Sequence, residues 1–410
     1  MSARPPHLRP SARRFALSPR PVVYGGNRVR LLVNGEQYFP QLLAAIDAAR
    51  RSIHLETYIF ADDNIGQRVA FALAAAASRG VQVHVIIDGF GGGEHARRLV
   101  RELGAQGAEV RIYRPERWWR LERRLLRRLH RKIVVVDDAI AFVGGINIID
   151  DHNHPGGERG RLGPRFDFAV ACEGPIVAAI ALAGKRLWWT LSLVDPTGRA
   201  GPLPQLAGQP RTPYFPDGVR ASLLLRDNLR HRRTIERAYL EAIGGARRDV
   251  LIACAYFLPG RRFRAALLDA AARGVRVRLL LQGRAEYSLQ HHAQRAMYRQ
   301  FFAGGIEIYE YVPSYLHAKV AVVDGFWSTV GSSNIDPYSL LLAREANVVV
   351  YDDRFGAELQ AVIERAIERD AVLLRAEDYA RRSWLDRLGD WLAYRLVRLA
   401  TVVLARARDY

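Results

Sequence analysis

Lysine is nearly absent from this chain. Of 61 basic residues only Lys132, Lys185 and Lys319 are lysine. Almost every cation is therefore a planar guanidinium, and a remaining ammonium suggests a need that arginine does not meet. Cysteine is scarce too. Cys172 and Cys254 are too few for a disulfide framework, and neither has a cysteine neighbour at metal-ligand spacing. Both lie in strand-like apolar runs (AVACEG, LIACAYF), where a buried reduced thiol is expected. No uncharged apolar run reaches the roughly 18 residues of a membrane span. The opening MSARPPHLRPSARRFALSPRP is rich in Arg and Pro and has no apolar stretch, which excludes a signal peptide there. The expectation is a cytosol-facing protein that is not integral to a membrane. Acid is in deficit, 42 residues against 61 basic ones, giving a formal charge of +19. That charge predicts attraction to a polyanion, either nucleic acid or an anionic lipid surface.

What is present is a globular balance of 49% apolar and 25% charged residues over 410 positions. It excludes a disordered, collagenous or coiled-coil chain and allows two or three domains. The chain also repeats itself. From residue 37, QYFPQLLAAIDAARRSIHLETYIF runs from a helical period into an apolar strand, followed by helix GQRVAFALAAAASRG and strand VQVHVIIDG. From residue 232, RRTIERAYLEAIGGARRDVLIACAYF, FRAALLDAAARG and VRVRLLLQG repeat that order. Continuous apolar strands joined by helices predict an α/β layer structure. The repeat continues in LHRKIVVVDDAIAFVGGINI (129–148) and LHAKVAVVDGFWSTVGSSNI (316–335), each expected to form a hairpin about Asp-Asp or Asp-Gly. A Pro/Gly-rich bridge near 196–219 separates the copies. The expected division is a first lobe over 25–205, a second over 206–375, and a basic amphipathic tail over 376–410.

Both hairpins begin His-x-Lys, with Asp seven residues after the His, Gly at +14 and Asn at +17. Eleven histidines and three lysines in 410 positions predict ~0.1 His-x-Lys pairs by chance, so two with matching offsets are not coincidence. His-x-Lys-x4-Asp twice in one chain, followed by Gly-Gly or Gly-Ser and then Asn, resembles the phospholipase D superfamily. Within it, RDNLRHRRTIERAYLEAI, AYFLPG, RGVRVRLLLQG, IYEYVPSYLHAKVAVVD and TVGSSNIDPYSL are similar to bacterial cardiolipin synthases of the B type. The resemblance covers roughly residues 25–355.

The resemblance implies two α-β-α lobes related by a pseudo-two-fold axis, sharing one active site. Phosphodiester transfer needs a nucleophile, a proton donor to the leaving alkoxide, and cations around the phosphate. His130 is implied as the nucleophile forming a phosphohistidine, and His317 as the acid that then becomes the base, although the two roles could be exchanged. Lys132 and Lys319 would bind the non-bridging oxygens in place of a metal, so no metal or cofactor is implied. Asn147 and Asn334 would add neutral donors, and Gly144, Gly145, Gly331 and Ser332 would allow close approach. Asp167 (PRFDFAV) and Glu345 (REANVVV) match the carboxylates that orient catalytic imidazoles, at offsets of 37 and 28 from the histidines; either could instead be an ordinary strand-end charge. Asp137 and Asp324 complete the motifs and are expected to cap turns rather than do chemistry.

The implied activity is transfer of a phosphatidyl group onto phosphatidylglycerol, giving cardiolipin. The implied partners are phosphatidylglycerol, other anionic phospholipids and a membrane surface, with no obligate nucleic acid. The implied location is the cytoplasmic face of the bacterial inner membrane, held peripherally. Two alternatives stand: a phosphodiesterase hydrolysing nucleic acid or phospholipid, and a non-enzymatic lipid scaffold, which the two intact motifs disfavour. Several other features carry less. GGGEHA (91–96) mimics a dinucleotide turn but lacks the later acidic residue. His152 and His154 beside Asp150 and Asp151 are expected in a solvated or substrate-facing loop rather than on a metal. His291 and His292 are expected at the surface or near a head group, and Trp118 and Trp119, among arginines, at an interface. In the tail, Trp384, Leu385, Leu388, Trp391, Leu392, Leu396, Leu399 and Val403 form an apolar helical stripe flanked by Arg387, Arg395, Arg398 and Arg406. It suits either an in-plane membrane helix or a helix docked on the second lobe.

Overall fold

The computed structural model describes residues 20–115, 127–154, 162–193, 203–205, 212–228 and 230–405. Trp118, Trp119, Arg406, the side chain of Val403, the start of the chain and most of the 196–219 bridge lie outside them. The first lobe runs β1 (Val23–Val33), α1 (Asn34–Asp47), β2 (Ser52–Thr57), α2 (Asn64–Ser78), β3 (Gln82–Asp88), α3 (Gly93–Ala105), β4 (Glu109–Tyr113), β5 (Lys132–Val136), β6 (Ile140–Gly144), β7 (Phe168–Glu173) and α4 (Ile176–Ser192). The second runs β8 (Val219–Arg226), α5 (Thr234–Gly245), β9 (Asp249–Cys254), α6 (Arg261–Ala272), β10 (Arg276–Gln282), α7 (Ser288–Arg295), α8 (Tyr298–Ala303), β11 (Glu307–Tyr311), β12 (Lys319–Val323), β13 (Trp327–Gly331), α9 (Pro337–Leu341), β14 (Glu345–Tyr351) and α10 (Asp353–Asp370). The short β15 (Ala371–Leu373), α11 (Ala376–Ala380) and the long α12 (Trp384–Ala405) follow.

The strands line up as β15-β11-β10-β9-β12-β13-β14-β8-β1-β7-β6-β5-β2-β3-β4, a palindrome about the β8/β1 junction apart from the added β15. That symmetry is the duplication written in hydrogen bonds. The outer strands β2, β3 and β4 pair in parallel, as do β9, β10 and β11, and each hairpin adds antiparallel neighbours toward the middle. At β1 the chain changes partner. Val23, Tyr24 and, past an irregularity, Asn27 pair with β8, and Arg28–Val33 pair with β7. One strand thus belongs to both lobes.

Three large apolar cores follow, beside a small one of Ile86, Tyr113, Leu129 and Leu187. One lies under α1, α2 and α3 in the first lobe, and another under α5, α6, α7 and α8 in the second. The third is shared: Ile133, Val135 and Val170 from the first lobe join Val320, Val322 and Val348 from the second, with α4 and α10 contributing Ile180 and Leu359. The lobes therefore bury apolar surface against each other, which is the dominant favourable term in fixing their relation. Both cysteines are buried free thiols.

The hairpins turn as expected. Asp137 and Asp138 have φ of 54° and 53°, and Asp324 and Gly325 have φ of 55° and 73°, the left-handed pair that a tight hairpin needs and that Asp and Gly tolerate. The Asp137 carboxylate accepts backbone N–H groups of Arg50, Arg51 and Ser52 at 2.7–2.9 Å. Asp324 does the same for Arg247, Arg248 and Asp249 at 2.8–3.0 Å.

Candidate active site

The two His-x-Lys segments enter β5 and β12 at the same structural point. Lys132 is the first residue of β5 and pairs with Gly144; Lys319 is the first of β12 and pairs with Cys254. Each lysine is buried and donates to the carbonyl of the histidine two residues earlier, Lys132 Nζ to His130 O at 2.7 Å and Lys319 Nζ to His317 O. The glycines are a packing requirement. A Cβ on Gly144 would meet Ala169 Cα at 2.5 Å, and one on Gly331 would meet the Asn347 side chain at 2.2 Å.

The lobes interlock at the histidines. His130 N donates to Arg344 O and Arg344 N to Arg128 O, while His317 N donates to Phe166 O and Phe166 N to Tyr315 O. Each histidine segment is stitched to the opposite lobe. The carboxylates cross over in the same way: Glu345 lies 3.1 Å from His130 Nδ1, and Asp167 lies 2.6 Å from His317 Nδ1. Neither carboxylate serves the histidine of its own lobe. The unequal offsets have a local cause, since the segment between Asn147 and Asp167 is longer than that between Asn334 and Glu345.

Both Nδ1 atoms face only acceptors. His130 Nδ1 is also 3.2 Å from Ser332 O, so this nitrogen carries the proton and Nε2 is left with its lone pair. The supports differ in detail. Ser332 Oγ donates to Glu345 Oε2 at 2.5 Å, whereas Gly145, its counterpart, makes room: a Cβ there would lie 2.2 Å from Asp167 Oδ1. Asp167 Oδ1 instead accepts the N–H of Phe168 at 2.8 Å.

Burial sets the electrostatics. It pushes Lys132 down to about 7, opposed by Glu345 and aided by the charge of Lys319, and lowers Lys319 against the pull of Asp167 and Glu345. Burial also lowers His130, and lowers His317 well below the usual imidazole value with help from Lys319 and Arg165. Asp167 is raised to about 6 by desolvation, against the pull of Lys319. Two buried lysines and two imidazoles thus share a desolvated site with the carboxylates of Glu345 and Asp167, where an added anion would favour the charged forms of the lysines and imidazoles.

Asn147 Oδ1 accepts from Ile59 N at 3.1 Å, and buried Asn334 has an Oδ1 with no protein partner among the described residues. Asp137 and Asp324 are not at the site: each lies five positions beyond its lysine, just past the end of the strand, about 16 Å along it. Three site residues escape the sequence reading. The Tyr58 ring lies 5.1 Å from the His130 ring, and Lys132 Nζ lies 5.5 Å from the centre of Tyr58. Asp88 Oδ2 accepts Leu129 N at 2.7 Å, and Gln282 Oε1 accepts Leu316 N at 2.7 Å, so each pins the residue before a motif histidine. A signal for that pair exists, because both are the polar residue before Gly at the end of matching strands, VIIDG and LLLQG.

Other expectations change. His154 is buried, bonded through Nε2 to Gly163 O at 3.0 Å and packed on Tyr315, not solvated. His292 is exposed, as expected, and its Nδ1 also bonds Asp390 Oδ1 of α12 at 2.8 Å. GGGEHA opens α3 after Asp88, whose Oδ1 accepts Phe90 N at 2.9 Å.

Residues 42–154 and 239–367 match the family described as cardiolipin synthase, PLD-like domain. The chain is 38% identical over 383 residues to cardiolipin synthase B of Escherichia coli K12, covering 91% of this chain and 88% of that protein. The same figures hold for cardiolipin synthase B of Shigella flexneri. A cardiolipin synthase of Geobacillus kaustophilus is 30% identical over 391 residues, covering 94% of this chain and 75% of that protein. Among solved structures, phosphatidylserine synthase of Haemophilus influenzae superposes with a TM-score of 0.68 at 15% identity, covering 96% of this chain and 98% of that one, a likeness of fold. With matching segments spread over both lobes and relatives aligned along nearly the whole chain, the protein belongs to the cardiolipin synthase family of phospholipase D-like enzymes.

Proposed function

We propose that this phosphatidyltransferase makes cardiolipin by moving a phosphatidyl group onto the glycerol head group of phosphatidylglycerol, through a covalent intermediate on His130. His130 Nε2 attacks phosphorus, the bond to the head-group oxygen breaks, and His317 gives that oxygen its proton. The incoming hydroxyl of phosphatidylglycerol then loses its proton to His317 and attacks phosphorus, and the N–P bond breaks. Lys132 and Lys319 hold the non-bridging oxygens, with Asn147 and Asn334 as neutral donors.

The observation that carries this reading is the crossed pairing of His130 with Glu345 and His317 with Asp167, which commits both Nδ1 atoms and leaves Nε2 as the reacting nitrogen. His317 can act as an acid because a bound phosphodiester anion raises its affinity for a proton, the reverse of what the two lysines do in the empty pocket. The enzyme works peripherally on the cytoplasmic face of the membrane. No helix among the described residues is long and apolar enough to cross a bilayer, which is compatible with that location.

The test is product analysis. Phosphatidylglycerol in detergent micelles, incubated with the protein and a metal chelator, is expected to give cardiolipin and free glycerol by mass spectrometry, and none with His130→Ala. Formation of phosphatidic acid alone, or cleavage of plasmid without cardiolipin, would establish the hydrolase reading that the +19 charge also suits.

A further inference from the structure

Helix α12 has two faces. One is docked: Ala393 is buried in the core of the second lobe, with Tyr394 and Val397 packed against it. Asp390, also buried, bonds His292 at 2.8 Å and Arg382 at 2.6 Å. Residues 390, 393, 394 and 397 recur at one helical turn, and this face lies on α7. The opposite face is bare. Trp384, Leu385, Trp391, Leu392, Leu396 and Leu399 are each 49–66% exposed. Scattered apolar residues at a surface need no explanation, but a continuous helical stripe of large ones does.

The surroundings identify the occupant. Arg387, Arg395 and Arg398 stand on this helix, Arg395 lying 5.1 Å over the Trp391 ring. Of the two acids in the helix, Asp390 is turned inward and Asp386 bonds Ser383 at its first turn. The whole chain carries +19. An apolar stripe bordered by arginine complements an anionic lipid interface, with apolar side chains below the head groups and guanidinium groups among them. Position agrees. Phe90 and Tyr287, 58% and 57% exposed, follow Asp88 and Gln282, whose side chains hold the chain just before the two motif histidines. Phe90 lies two residues beyond the end of β3 and Tyr287 five beyond the end of β10, the strands that close on Asp88 and Gln282. Tyr287 also lines a cavity of about 80 Å³ with Tyr256, His291, Tyr338 and, from α12 itself, Val397, so α12 packs beside that strand end.

We propose that the outer face of α12 is the surface by which the enzyme rests on an anionic bilayer, with the helix in the head-group plane and its docked face holding the catalytic mouth at the interface. The proposal rests on the lipid-substrate reading above, and it answers the choice left by the sequence: the helix is docked and membrane-facing at once.

The test uses the full chain and a variant carrying Trp391→Ser, Leu392→Ser, Leu396→Ser and Leu399→Ser, all at exposed positions. Binding is read by co-sedimentation with phosphatidylcholine vesicles, with and without phosphatidylglycerol. The unaltered protein is expected to sediment with phosphatidylglycerol-containing vesicles, and less so as salt rises. The variant should bind at least about tenfold more weakly, with the same circular dichroism, melting temperature and turnover of phosphatidylglycerol in micelles. Arg387→Gln with Arg395→Gln should weaken binding to the anionic vesicles by roughly fivefold per charge and leave binding to neutral ones unchanged. Undiminished vesicle binding by a folded serine variant overturns the proposal. So does a dimer of the unaltered protein that the variant disperses without change in vesicle binding, since the stripe would then be a contact between copies. Micellar turnover is read separately: its absence in the unaltered protein would count against cardiolipin synthesis, not against docking.

Discussion

A histidine attacks phosphorus only through an unprotonated nitrogen, and here the groups around Nδ1 arrange that. Glu345 and Ser332 O accept from His130, and Asp167 accepts from His317. Glu345→Gln and Asp167→Asn should each lower kcat by on the order of 10²–10⁴ in a folded enzyme, as expected when an imidazole loses the carboxylate that fixes its tautomer. Initial rates and melting curves measure both effects. Lys132→Arg should cost about 10²–10³ in kcat, because a wide fork does not fit where a buried ammonium sits against the His130 carbonyl. Lys132, held near 7 in the empty pocket against an ordinary value of 10.5, is mainly neutral above that pH. A bound phosphodiester anion favours its charged form, so binding takes up protons between about pH 7 and pH 10. Calorimetry with dimethyl phosphate in buffers of different ionisation enthalpy should detect uptake at pH 8; no buffer dependence would contradict the site electrostatics. The histidines and lysines were legible in the sequence through repetition, and Asp167 and Glu345 through the resemblance to the phospholipase D superfamily. Their pairing was not, because Asp167 and Glu345 occupy equivalent strand starts and only the packing of the lobes decides which histidine each one meets.

At the scale of elements, the hairpins separate chemistry from architecture. Their His-x-Lys ends meet at the proposed site, and their Asp ends tie the turn to the loop before β2 or β9 through three backbone N–H groups. Asp324→Ala leaves three donors without their acceptor at a partly solvated turn. It should cost about 1–3 kcal/mol of stability and leave kcat within a factor of about two. Denaturant titration and steady-state rates check this; a large loss of kcat at unchanged stability would place Asp324 in the chemistry. Strands and helices were readable from apolar period and from Asp-Asp and Asp-Gly turns. Helix α12 was half readable. Its outer stripe of Trp and Leu dominates the sequence pattern, while its docked face is made of Asp390, Ala393, Tyr394 and Val397, residues that look like a polar side until His292 and Arg382 are seen opposite Asp390.

At the scale of the molecule, duplication explains why one site needs the whole chain. The palindromic sheet, the strand shared between lobes and the common core bring two equivalent histidine segments together, and each depends on a carboxylate from the other half. Tandem lobes were legible from the repeated motifs. The crossover of β1 was not, because a strand that changes partner past an irregularity has the same apolar character as one that does not. The central claim is covalent transfer through His130 at this shared site. Rapid quenching of the enzyme during turnover of phosphatidylglycerol, followed by digestion under alkaline conditions that preserve phosphohistidine, locates the adduct by peptide mass spectrometry. The account predicts a phosphatidyl group on His130, absent in His130→Ala. An adduct on His317, or sustained cardiolipin synthesis by His130→Ala, would contradict it.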